Sequence, residues 1–146
     1  PDQLPRTAQT LILSDILQSG IPATELYRRV AEMVTGRGVT HLIGVGPEIS
    51  AAHSLFNVKK HFFSDTAALL QSGLLDTLHD ETVLIKGARP FNFEQIAAQL
   101  SLRAHATTLE VNLEALADNV AYYRSFLQPS TKMVCMVKAS ATATAR

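Results

Sequence analysis

Cysteine is almost absent from this chain. The single Cys135 rules out an internal disulfide and a cysteine-based metal site. It lies in the apolar run Met133 to Val137, where a thiol acts as a small buried hydrophobe. Net charge is missing too. Lys+Arg 13 balances Asp+Glu 13, so there is no electrostatic footprint for nucleic acid or an anionic membrane surface. No apolar run approaches the roughly 20 residues of a membrane-spanning helix. No signal peptide is visible, and cytoplasm is the expected location. No Gly-x-x-x-x-Gly-Lys-Ser/Thr loop occurs, so the chain cannot by itself be a P-loop ATPase. Gly44-Val45-Gly46 lacks the third glycine of a dinucleotide fingerprint, since position 49 is Ile49. His41, His53, His61, His79 and His105 show no metal-ligand spacing, and no metal site is expected. There is no internal repeat of solenoid period.

What the chain does have is a short buried strand, repeated, with helical stretches between. Its 146 residues, 47% of them hydrophobic, suffice for one domain or one domain plus a fragment. Thr10-Leu11-Ile12-Leu13, His41 to Gly46, Lys60 to Phe63 and Thr82 to Ile85 read as strands. Leu26, Val30, Met33 and Val34 recur at helical spacing after Pro22, and Gly36 and Gly38 stop that helix. A short helix is expected around Ile49 to Phe56. Another, capped by Ser64, carries Leu69 and Leu70. The run Phe93 to Leu100 reads as a helix capped by Asn92, with Gln95 at the capping-box position. Strands alternating with amphipathic helices predict an α/β fold with a mostly parallel sheet, running to about Leu102. The pattern then restarts, with a strand Thr107 to Val111, a helix carrying Leu113, Leu116, Val120, Tyr123 and Leu127, and a strand Lys132 to Val137. The tail Ala139 to Arg146 is low-complexity.

Charged residues cluster at the ends of these strands. Asp15, Lys86 and Arg89 all follow carboxyl ends, where ligands of open α/β sheets bind. A carboxylate with two cations suits a phosphate–magnesium substrate or a substrate carboxylate. The competing reading is a set of solvated loop starts. Lys138 ends the last buried strand, as a Schiff-base lysine must, held rigidly and partly desolvated beside a carbonyl. The plainer reading is a lysine leaving a sheet for water.

Two resemblances give these residues a context. Residues 1–104 resemble the C-terminal domain of the Mur ligases, of the type that adds D-alanyl-D-alanine to a UDP-N-acetylmuramoyl-tripeptide. The family's Gly-Asp-Met-x-Glu-Leu-Gly segment is matched by Ser14-Asp15-Ile16-Leu17-Gln18-Ser19-Gly20. Its Val-Gly strand end is Val45-Gly46, its Phe-x-Asp is Phe63-Ser64-Asp65, and its Leu-Val-Lys-Gly-Ser-Arg is Leu84-Ile85-Lys86-Gly87-Ala88-Arg89. The resemblance implies a three-layer Rossmann-like domain whose first strand precedes Pro1, leaving an exposed sheet edge. It implies ATP and Mg²⁺ as ligands of the whole ligase. ATP phosphorylates the tripeptide carboxylate, and the dipeptide amine then displaces the phosphate. Lys86 and Arg89 would face the dipeptide or the phosphates, and Asp15 the nucleotide. The phosphate-binding loop would belong to a central domain outside this chain.

Residues 105–146 resemble the start of an alanine racemase. His105 to Leu113 matches the first strand and the start of the helix, Asn119 a helix asparagine, and Met136-Val137-Lys138-Ala139 the pyridoxal phosphate lysine segment. The family continues Asn-Ala-Tyr-Gly where this chain has Ser140-Ala141-Thr142-Ala143. The resemblance implies the first β-α-β piece of a TIM-type barrel, pyridoxal 5'-phosphate on Lys138, alanine as substrate and a homodimeric racemase domain. Together the two imply a bifunctional enzyme of peptidoglycan-precursor synthesis. The fragment itself, lacking the central ligase domain and most of the barrel, is expected to be inactive. The alternative is a non-catalytic α/β binding or interaction module.

Overall fold

The structure is a computed structural model that describes residues 8–103 and the strand 133–138. The strand and helix expected between 107 and 127, and the tail, lie outside the described residues. Four parallel strands carry the fold: β1 (Ala8–Ser14), β2 (His41–Val45), β3 (Lys59–Phe63) and β4 (Glu81–Lys86). A fifth strand, β5 (Met133–Lys138), pairs with β4 in antiparallel sense, and the sheet order is β3-β2-β1-β4-β5. Four helices accompany them: α1 (Ala23–Gly36), α2 (Pro47–Ala51), α3 (Thr66–Gln71) and α4 (Glu94–Arg103).

The near-continuous apolar runs in β1, β2 and β4 follow from burial on both faces of the sheet. Leu11, Leu13, Leu42 and Leu84 point to one face, where Leu26, Tyr27, Val30, Met33 and Val34 of α1 and Ile49 of α2 cover them. Ile12, Ile43, Val45, Val83 and Ile85 point to the other, against Leu69 of α3, Leu75, Leu78, and Ile96 and Leu100 of α4. The result is three layers with two cores. Each fully buried aliphatic side chain contributes roughly 1.5–3 kcal/mol. The outward face of α1 is solvated, with Arg28 and Arg29 paired to Glu25 and Arg28 also to Glu32. Those pairings, Arg29 first, hold the Glu25 carboxyl below its usual range.

Two caps differ from the expectation. The side chain that caps α3 is Asp65, accepting the Ala68 amide at 2.8 Å, while Ser64 precedes it. A carboxylate there also meets the positive end of the helix dipole. Asn92 does not cap α4. It takes a left-handed conformation at φ 53°, ψ 48° and links a single 3₁₀ turn, Arg89 to Phe91, to the helix. The helix itself starts at Glu94, so Phe93 stands between the expected cap and the first helical residue. The strand Met133–Lys138, expected as the second strand of a β-α-β piece, pairs with β4 of the first unit. At the opposite margin β3 is the edge strand, and it is short and opens with Lys59 and Lys60, which oppose edge-to-edge pairing. The Lys60 ammonium donates to the carbonyls of His53 and Phe56, each at 2.8 Å.

β2 and β3 are also joined side chain to side chain. His41 Nε2 and His61 Nδ1 lie 2.8 Å apart, so one ring donates the proton the other accepts. His41 is buried, and burial, then His61, then Lys59, pull its pKa down to about 4. The unfolded imidazole, near its usual 6.5, takes up a proton before the folded one does. The contribution is therefore complete above pH 6.5 and declines as pH falls toward about 4. Urea unfolding at pH 7.5 and pH 4 should show a loss of about 1–3 kcal/mol from this residue, since one pKa unit is worth about 1.4 kcal/mol. His41→Val should flatten the profile by that amount. An unchanged acid dependence in the variant would show that the pair carries no such linkage.

Candidate functional site

The sheet order places the site. The connection from β1 runs through α1 on one face, while the chain leaving β4 enters α4 on the other face. Adjacent parallel strands whose following segments part to opposite faces leave a crevice at their carboxyl ends. Here that crevice lies between Ser14-Asp15 and Lys86-Gly87-Ala88-Arg89, the segments flanking the last β1–β4 pair, Leu13 with Lys86. Asp15, Lys86 and Arg89 thus share one edge, as their strand-end positions predict.

Their environments differ. Asp15 is 3% exposed. One carboxylate oxygen accepts the Ile49 amide at 2.8 Å and the other the Glu48 amide at 3.2 Å, both in the first turn of α2. Its own amide donates to the Val45 carbonyl at 3.0 Å. Asp15 therefore ties the end of β1 to the end of β2 and the start of α2. Gly46 makes this possible. At φ +132° its backbone suits glycine, and a Cβ there would lie 2.4 Å from the Asp15 carboxylate. The Val45-Gly46 segment thus has a geometric purpose that a truncated dinucleotide fingerprint did not disclose. Nearby, Tyr27 is buried under the edge and its hydroxyl accepts the Ile16 amide at 3.1 Å. Burial raises the phenol well above its usual range, and the charges of Asp15 and Glu48 add to this.

Lys86 is 2% exposed. Strand alternation puts it on the face of Leu84, and in register with Leu13 of β1 and Met133 of β5. Arg89, by contrast, is exposed at the head of the 3₁₀ turn. The expected pair of open cations resolves into a buried lysine beneath an exposed arginine. Between them Gly87 lies against Phe93, and a Cβ on Gly87 would come within 2.4 Å of the ring. Ser14, which sequence reading passed over, completes the edge. Its hydroxyl donates to the Asp15 carbonyl and accepts the Ala88 amide, each at 2.8 Å. Only its position at a strand end, beside an aspartate, could have marked it.

No protein-family model matches the chain, and no curated protein matches it significantly.

Lys138 lies elsewhere. Its register partner is Glu81, the first residue of β4, so it stands at the sheet edge opposite Asp15, Lys86 and Arg89. Glu81 is buried, accepts the Thr10 hydroxyl and accepts the His79 amide at 3.1 Å. Among the described residues no group of three or more His, Cys, Asp or Glu could hold a metal ion, and no helix is long and apolar enough to cross a membrane.

Because both oxygens of the buried Asp15 carboxylate receive backbone amides, Asp15→Ala should cost about 1–3 kcal/mol in chemical denaturation. Gly46→Ala should cost a comparable amount, because it strains the backbone and meets the same carboxylate. Full stability in both variants would mean that Asp15 does not hold this edge together.

Proposed function

We propose that residues 1–104 are the C-terminal domain of a Mur ligase that joins D-alanyl-D-alanine to a UDP-N-acetylmuramoyl-tripeptide. Residues 105–146 begin an alanine racemase in the same polypeptide. One observation carries the ligase reading. The four motif segments, Ser14 to Gly20, Val45-Gly46, Phe63-Ser64-Asp65 and Lys86 to Arg89, fall in turn at the carboxyl ends of β1, β2, β3 and β4. Parallel pairing of those strands gathers all four on a single edge. Any strand-end segment of a parallel sheet reaches this edge, so the support lies in the order of the four motifs along β1 to β4. The racemase reading rests on residues 105–138 of the sequence.

On this reading the edge forms one wall of a site whose other walls come from the central domain, with ATP, Mg²⁺ and the tripeptide. Closing the domains excludes water from the acyl phosphate and completes the site. Arg89 is the exposed cation, and its planar guanidinium suits the dipeptide carboxylate or a phosphate oxygen through paired hydrogen bonds. Lys86 lies buried beneath it. Asp15 holds the nucleotide side of the edge in place through α2. Lys138, at the far edge, has no part in this site.

Burial of Asp15 and Lys86 also favours one competitor, a non-catalytic α/β module in which both are structural. The reading frames flanking this segment separate the two. An ATP-binding ligase domain upstream and a racemase barrel downstream are expected, and their absence would leave the non-catalytic module. In the complete polypeptide, Arg89→Ala should lower kcat/KM for the dipeptide at least about tenfold, while its exposure keeps the stability change within about 0.5 kcal/mol. Normal ligation by the Lys86→Ala, Arg89→Ala double variant would remove both residues from the site.

A further inference from the structure

The β1–β4 backbone ladder stops at Leu13 and Lys86. Beyond it the Asp15 amide donates to the Val45 carbonyl of β2. The Ala88 amide, on a residue only 9% exposed, then needs an acceptor that the β1 backbone does not offer. The Ser14 hydroxyl, 1% exposed, meets it at 2.8 Å and passes its own proton to the Asp15 carbonyl. It serves as one extra rung between the strand ends. The residues on either side leave little play. Gly87 is packed against Phe93, Pro90 fixes the backbone after Arg89, and the Phe91 amide closes the turn on the Ala88 carbonyl at 3.0 Å.

We propose that Ser14 is the positioning residue of this edge: its hydroxyl holds the Ala88 amide and so fixes the direction in which Arg89 leaves the sheet. What Arg89 binds rests on the ligase reading above.

Two measurements test this. Amide hydrogen exchange on the 146-residue chain reads the hold itself. Ser14→Ala should speed exchange at Ala88 about tenfold or more, leaving the Ile49 amide on Asp15 unchanged. Unchanged exchange at Ala88 overturns the proposal whatever the protein does. Steady-state ligation by the complete polypeptide reads the consequence. Ser14→Ala should raise KM for D-alanyl-D-alanine about tenfold with kcat little altered. Because Ser14 acts through Arg89, the same substitution in an Arg89→Ala background should change KM less than about twofold. An equal effect in both backgrounds means general destabilisation and overturns the positioning role. Absence of ligation by the unsubstituted polypeptide overturns the ligase reading instead, and the exchange rates alone then decide whether Ser14 holds the loop.

Discussion

Everything at the carboxyl edge depends on β1 being hydrogen-bonded on both flanks to strands running in its own direction. With β2 on one side and β4 on the other, three carboxyl ends lie side by side. The segments that follow β1 and β4 are then forced to opposite faces, because α1 and α4 cover different cores. A crevice results from connectivity alone, before any particular side chain is considered. The residues placed there by the sequence then divide the work of closing it and of leaving it open.

The division is unequal. Buried carboxylates are costly unless their oxygens are satisfied, and Asp15 meets that demand with two amides of α2. The same geometry obliges position 46 to be glycine. Lys86 is enclosed between β1 and β5, whereas Arg89 is carried outward on a turn that begins where the sheet ends. Charge at this edge is thus layered, with Asp15 and Lys86 buried and Arg89 exposed above them.

Much of this was legible in the sequence. The four strands and α1 follow from short apolar runs and from the spacing of Leu26, Val30, Met33 and Val34, since buried faces leave periodic traces. The shared edge of Asp15, Lys86 and Arg89 was legible for the same reason, because parallel strands align their ends. What the sequence did not disclose was depth. Nothing in the string distinguishes a buried lysine from an exposed arginine three residues later. The acceptor role of Ser14 and the His41–His61 contact depend on register between strands 74 and 20 residues apart. The caps were misplaced by one or two residues because a left-handed Asn92 and an adjacent Ser64-Asp65 offer equivalent local chemistry. The fifth strand was seen, but its pairing with β4 was not, since a short apolar run marks burial and does not name its partner.

The central claim is that this edge belongs to an amide-forming ligase. The most direct measurement is phosphate release from ATP by the complete polypeptide, in the presence of UDP-N-acetylmuramoyl-tripeptide, with and without D-alanyl-D-alanine. The account predicts release that rises with the dipeptide and matches the amide product one for one. Release that ignores the dipeptide, or no release at all, would contradict it.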